Sequence, residues 1–223
     1  SIETTLNPGE VIDFTFSTPI ETTETGLIPF ASWVQVLNEN FPLNDTLNTV
    51  IPIYDGNGEP LPLMENFNDD DFPKPNWVIE NPDGKTTWEK TMVINRFDNL
   101  SEAIRVNNFD NENNQTLDIF YIEQLDFSTA SGTPALTFDI AYARRGNFQD
   151  GLRVEVSTNC GESFDFVVYE KFGSELSTLI QSTDYFPDEA SHWRIEGIDL
   201  TDFVGMNQVI LRFVSINDGG NNL

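Results

Sequence analysis

The chain has 223 residues, 37 acidic against 11 basic side chains, and a formal net charge of −26. A field of that sign repels phosphate backbones and anionic lipid surfaces, which argues against nucleic acid as a partner and leaves divalent cations and basic protein surfaces as electrostatic matches. Hydrophobic residues make up 39% of the chain, enough for a core, and no apolar run reaches the ~18 residues of a membrane-spanning helix.

The charge is uneven: residues 1–73 hold no Lys or Arg, and the first base is Lys74. Asn7, Pro8 and Gly9 predict a turn, and Val11, Ile12, Phe14 and Phe16 a strand after it. Leu27 to Leu37 predicts a second strand with Trp33 as its core anchor. Asn38 to Asp45 is turn-rich, and Thr46 to Ile51 predicts a third strand. So few strands cannot close a sandwich, so residues 1–50 are either an incomplete immunoglobulin-like unit or need neighbouring chain to cover them. L-N-P-G-E-V-I-D-F-T-F, the Trp-bearing strand and N-D-T-L-N together resemble the second half of the CARDB-type immunoglobulin-like domains of large exported bacterial proteins. The absence of the first half implies a fragment of a longer polypeptide. D-T-L at Asp45–Leu47 resembles the O-glycosylation site of exported Bacteroidota proteins, with Thr46 as the acceptor. Asn44, Asn99 and Asn114 stand in N-x-S/T triplets, which matter only in a host that glycosylates them.

Residues 51–63 read as a linker. Asp55, Gly56, Asn57, Gly58, Glu59, Pro60 and Pro62 crowd turn formers together, and the EF-hand spacing and its glycine position are not met. A solvated hairpin tip or interdomain turn is expected.

From residue 64 a second domain is expected to run to residue 223. Trp77 and Trp88 flank a turn at Asn81 to Gly84. Strands are predicted at Ala103–Val106, Leu117–Ile122, Leu136–Tyr142, Trp193–Ile198 and Gln208–Val214. The organising stretch is Leu152–Phe172. Leu152, Val154 and Val156 alternate with Arg153, Glu155 and Ser157, and Asn159 to Glu162 supplies a turn. The return strand carries Phe164, Phe166 and Val168 on one face and Val167 and Tyr169 on the other, which predicts cover on both sides. Cys160 is the only cysteine, so no intrachain disulfide can form; a semi-buried place in the turn is expected. Ser174 to Ile180 predicts one helical turn capped by Ser174. Short strands without interleaved helices make the whole chain all-β: a partial immunoglobulin-like sandwich followed by an antiparallel jelly-roll β-sandwich.

Three separated motifs in order carry a second resemblance: E-N-F-N-D-D-D-F-P-K-P-N-W-V-I-E-N-P-D-G-K-T-T-W, L-R-V-E-V-S-T-N-C-G-E-S-F and L-R-F-V-S-I-N-D-G-G-N-N-L. Residues 63–223 resemble the MAM-like jelly-roll modules called choice-of-anchor J or cleaved-adhesin domains, found in surface and secreted Bacteroidota proteins, many exported by type IX secretion. The resemblance implies a structural Ca2+ ion shared by an early Glu and late acidic groups. Glu65 matches the first position, and Asp69, Asp110 and Asn113 are further candidate ligands. It also implies a last strand with an aspartate pair after G-N-N-L, so residues 64–223 are expected to lack that strand, which is either unresolved or supplied by another chain.

Catalysis has little support. A Ser-His-Asp triad would need His192, the only histidine, and no G-x-S-x-G or H-E-x-x-H motif accompanies it. Cys160 lacks a partner with a nucleophile signature, while paired carboxylates of the glycosidase kind cannot be read from spacing alone. No catalytic residue is assigned. The expectation is a non-catalytic adhesion or interaction module of a secreted or cell-surface protein, with other domains of the same polypeptide as partners. A carbohydrate-binding module is the alternative, with Trp77, Trp88, Tyr142 and Trp193 as stacking platforms for a cell-surface glycan. Export cargo held by the type IX secretion machinery is a third reading.

Overall fold

The structure is a computed structural model that describes the chain apart from residues 1–6, 8–9, 14, 19–25, 35–45, 55, 57, 69–70 and 112–114. Its strands in chain order are β1 (Gly26–Trp33), β2 (Thr46–Ile53), β3 (Glu59–Pro60), β4 (Val78–Glu80), β5 (Trp88–Ile94), β6 (Leu100–Val106), β7 (Leu117–Tyr121) and β8 (Leu125–Asp126). They continue with β9 (Ala135–Ile140), β10 (Ala143–Arg144), β11 (Gly151–Ser157), β12 (Phe166–Phe172), β13 (Leu179–Ile180), β14 (Arg194–Asp199) and β15 (Ile210–Ile216). One helical turn, α1 (Gly173–Leu176), follows β12. The protein is all-β, and among the described residues no helix is long and apolar enough to cross a membrane.

An antiparallel sheet in the order β12-β11-β15-β7-β4 forms one layer. The pairs β5-β6 and β9-β14 lie across the core from it as two separate two-stranded sheets. The alternation seen in the sequence sets the faces. Leu152, Val154 and Val156 of β11 and Leu211 of β15 point into the core with Phe120 of β7, against Trp88, Val106, Ile140 and Ile198 from the second layer. The opposite face of the central sheet carries a smaller cluster of Val78, Ile119, Tyr121, Ile210 and Val214, flanked by Tyr54 and Phe164.

That outer face also holds ions. Glu155 is buried, and Arg212 binds its Oε2 through Nε at 2.6 Å while Arg153 meets Oε1 at 3.1 Å. Arg212 lies 4.0 Å over the Phe164 ring and donates to the Tyr121 hydroxyl at 3.1 Å. The carboxylate is paired on both oxygens, as a buried charge requires.

Several expectations are corrected. The described residues of the Val11–Phe16 stretch belong to no strand, and Val11 and Phe16 are exposed. Trp33 is no core anchor: it is 70% exposed on the pair β1-β2, whose strands, among the described residues, pair only with each other. β12 is not covered on both sides, because it is the sheet's edge; Phe166 and Val167 are exposed there. A register shift between Val154 and Glu155 bulges β12 and leaves Val168 out of the pairing. Ser174 lies inside α1, whose cap is Phe172 with no side-chain hydrogen bond. Cys160 is exposed in its turn at φ 60°. Within residues 51–63, β3 joins the jelly roll by pairing in parallel with β8, and Gly58 makes this possible: a Cβ there would stand 2.3 Å from the Leu125 carbonyl carbon.

After β15 the chain is held by one carboxylate. Asp150, fully buried, accepts from the main-chain N–H of Asp218 at 2.7 Å and Gly220 at 3.2 Å on Oδ1. Its Oδ2 accepts from the Asn221 N–H and the Tyr142 hydroxyl, each at 2.8 Å. Gly220 has no alternative, since a Cβ would fall 1.9 Å from Asp150 Oδ2. Asn221 and Asn222 reach across to the main chain of Gln181, Thr183 and Tyr185, and Leu223 ends in a doubly bonded pair with Val106. Asp150→Ala strands several buried donors and is expected to cost about 3–5 kcal/mol in urea unfolding. Tyr142→Phe, which removes one donor, is expected to cost about 1 kcal/mol. A loss below about 1 kcal/mol for Asp150→Ala shows that other contacts hold the tail.

Candidate functional site

A cleft of about 740 Å3 opens in the second layer. Its floor is the inner face of the central sheet, with Phe120, Ile122, Leu152 and Phe213. Its walls include five successive residues of β6, Ser101 to Arg105, and five successive residues of β9, Leu136 to Ile140, with Ala141 after them. A strand that lines a cavity with its face contributes alternate residues; successive residues show that the cavity meets an edge.

The hydrogen-bond phase shows what those edges offer. Asn95 N–H donates to Asn99 O at the β5-β6 turn, so the odd-numbered residues of β6 bond to β5. The main-chain groups of Glu102 and Ile104 therefore point away from β5. On the other wall Leu200 N–H donates to Pro134 O, which puts the even-numbered residues of β9 in the bonded pairs with β14. Thr137 and Asp139 turn their main chain outward. Among the described residues, β6 pairs with no strand but β5, and β9 with none but β14.

Charged side chains at the rim are paired with each other. Arg96 Nε meets Asp139 Oδ2 at 2.9 Å, Lys90 meets Glu102 at 2.6 Å, and Arg105 binds Glu89 at 2.8 Å while lying over Phe186. Trp193 Nε1 donates to Ile94 O at 2.6 Å and fastens the β5-β6 tip to the start of β14. Phe97 and Ile195 line the cleft and are exposed at its mouth.

Glu65, Trp77, Trp88 and Trp193 all line this cleft, whereas Tyr142 does not. The aromatic platform is not formed: Trp77 is 2% exposed, Trp88 7% and Tyr142 0%. The two Trp rings pack against Phe120, and Tyr142 serves Asp150 instead of solvent. Trp193 is part-buried and held by its indole N–H. Thr46 is exposed at the start of β2.

The calcium candidates do not converge among the described residues. Glu65 Oε1 accepts from the main-chain N–H of Asn66 and Phe67, and Oε2 is ion-paired with Lys74. Burial holds the neighbouring Glu123 above the usual carboxylate range, with Glu59 and Glu65 adding to the shift and Lys74 opposing it. Asp110 is exposed and bonds to Asn107, and Asp69 and Asn113 lie outside the described residues. No three His, Cys, Asp or Glu side chains among the described residues gather as a metal shell. With its carboxylate engaged by Lys74, Glu65 does not fit as a free calcium ligand in this arrangement.

His192 lies in a short 3-10 turn, Ala190–His192, before β14, with its ring beside Tyr185 and the carboxylates of Asp188 and Glu189. Cys160 Sγ lies 3.4 Å from the Gln208 side-chain oxygen, in the turn after β11.

Sequence reading missed Asp118 on β7. It is 1% exposed and both carboxylate oxygens lack a hydrogen bond among the described residues. Burial raises its pKa from 3.8 to about 6; the nearby Thr87 hydroxyl opposes the shift without reaching hydrogen-bond geometry, and Asp83 adds to it. A raised folded-state value means the stabilising protonated form is present below about pH 4 and is lost as pH rises through about 6. Asp118→Asn is therefore expected to unfold like the parent at pH 4 and to be more stable by about 2–3 kcal/mol at pH 7.5. Equal stabilities at both pH values would show that the carboxylate finds a partner.

No protein-family model matches the chain, and no curated protein matches it. Among solved structures, the K2 cleaved adhesin domain of Lys-gingipain (Kgp) is similar with a TM-score of 0.45 and 15% identity, over 70% of this chain and 96% of that chain.

Proposed function

We propose that the chain is a non-catalytic interaction module of an exported, multidomain surface protein, and that the cleft between β6 and β9 is its contact site. The observation that carries this reading is the cleft itself. An aromatic and aliphatic floor lies between two strand edges with outward main-chain groups, and its rim charges are already paired. Such a site offers burial and hydrogen bonding, the currency of recognition. The strong negative charge suits a soluble exported chain. Surface location, type IX export and neighbouring domains of the same polypeptide complete the proposal and rest on the motifs of residues 63–223.

Phe97→Ser with Ile195→Arg tests it at the mouth of the cleft. Both positions are exposed, so the double variant is expected to keep its unfolding free energy within about 1 kcal/mol. Beads coated with the parent chain are expected to be retained on bacterial or host cell layers, and retention is expected to fall about tenfold with the variant. Equal retention of the two proteins overturns the assignment.

A further inference from the structure

We propose that Asp118 anchors a buried site for one small monovalent cation such as Na+, held between the two layers by the Asp118 carboxylate, the hydroxyls of Thr87 and Ser215 and the side-chain carbonyl of Asn108. The site lies apart from the cleft, whose lining includes none of these four residues.

The first observation is an exception among the buried charges. Four acidic side chains are buried among the described residues: Asp118, Asp150, Glu155 and Glu196. Asp150 takes four donors, Glu155 is bracketed by Arg153 and Arg212, and Glu196 by Lys171 and Arg194. Asp118 has neither oxygen bonded, and the charge that acts on it, Asp83, has the same sign. A carboxylate removed from water is stable only when a partner replaces the solvent, and among the described residues no base of the chain does so here.

The second observation is what surrounds it. Asp118 shares the inner face of β7 with Phe120, two residues on, and stands directly opposite Ser215 in the β7-β15 ladder. Cβ atoms of such a pair lie about 4.5–5.5 Å apart, close enough for one ion to meet both side chains. Ser215 is fully buried and its hydroxyl is unbonded. The Trp88 indole N–H donates to the Asp118 carbonyl at 2.9 Å, which sets Thr87, one residue earlier, beside the carboxylate. The Thr87 hydroxyl is buried and unbonded as well. Asn108, fully buried with both side-chain polar atoms unbonded, closes the same end of the core. Its carbonyl accepts from Asn111 N–H at 3.3 Å, Asn111 O accepts from Asn217 Nδ2 at 3.1 Å, and Asn217 N–H donates at 3.0 Å to Thr116 O, two residues before Asp118. Carboxylate, hydroxyl and amide oxygens are hard ligands and suit a hard cation.

Charge fixes the valence. One carboxylate and three neutral oxygens balance a single positive charge, while a divalent ion would leave an uncompensated charge in the interior. Water alone would bond the hydroxyls and the amide and leave the charge of the carboxylate unmatched. Bound there, the ion ties the start of β5 to β7 and β15 across the two layers.

The test is urea unfolding of the 223-residue chain at about pH 7.5, with tetramethylammonium replaced stepwise by Na+ at a constant ionic strength of about 0.15 M, because a chain of charge −26 responds to screening alone. The unfolding equilibrium constant of the parent is expected to fall about tenfold on full replacement, the linkage for an ion at about ten times its Kd. Asp118→Asn keeps the shape and removes the charge, and its unfolding constant is expected to change by less than about twofold over the same series. In tetramethylammonium the Asn variant is the more stable of the two, and Na+ narrows that gap. Ser215→Ala is expected to need about fivefold more Na+ for the same gain. The amide 1H–15N shifts of Thr87, Asp118 and Ser215 are expected to move saturably with Na+ in the parent and to stay fixed in Asp118→Asn. Equal unfolding constants in tetramethylammonium and Na+ overturn the proposal and leave water as the occupant. A Na+ gain of the same size in Asp118→Asn puts the ion elsewhere and overturns it. A gain with Ca2+ but not Na+, lost in Asp118→Asn, makes the ion divalent and overturns it too.

Discussion

The buried carboxylate of Asp150 is the constraint on which the second layer depends. It gathers three main-chain N–H groups from Asp218 to Asn221 and the Tyr142 hydroxyl, so it joins β10, β11 and the chain after β15 at one point. A carboxylate removed from water is stable only when its lone pairs are filled, and here four donors fill them. The geometry then propagates. With Gly220 pressed against the carboxylate, Asn221 and Asn222 tie the segment around Tyr185, and Leu223 is delivered to Val106 at the end of β6. One wall of the cleft is positioned by a contact that lies outside it.

The same economy governs the ions. A chain with 37 acids and 11 bases has few cations to spend, and several stand beside carboxylates that burial would otherwise expel. Arg153 and Arg212 bracket Glu155, and Lys171 and Arg194 bracket Glu196, whose pKa is lowered by these partners against the opposing effect of burial. Arg194 also donates to the carbonyls of Glu175, Leu176 and Ser177, so one guanidinium satisfies the end of α1 and a buried acid together. Pairs of this kind do little for net stability against an apolar replacement, but removing one partner is costly.

Much of this architecture was legible in period-two patterning. Leu152, Val154 and Val156 declare the inner face of β11, and the Asn159–Glu162 turn sits where its residue types put it. What the pattern could not show was the neighbour on each side. Phe166 and Val167 read as buried because aromatic and β-branched residues favour any strand, while their exposure follows from the edge position of β12. Trp77, Trp88 and Tyr142 could serve a surface or a core, and only the packing on Phe120 and the bond to Asp150 decide for the core. Asp150 and Asp118 are single acids among 37, with nothing local to mark them. The cleft was hidden for a deeper reason: it lies between β6 and β9, strands far apart in the chain that, among the described residues, each pair with another partner. The D-G-G-N-N run was its nearest local sign, since two successive glycines followed by two amides suit a close main-chain approach to a buried acceptor.

The bulge in β12 gives the molecule an asymmetry between its sheet borders. At Val168 the rhythm of donors and acceptors is interrupted, and the Arg153–Glu170 pair lays charge across the same margin. A passing chain therefore finds a broken template there. The bulge and the ion pair together guard this border against edge-to-edge pairing.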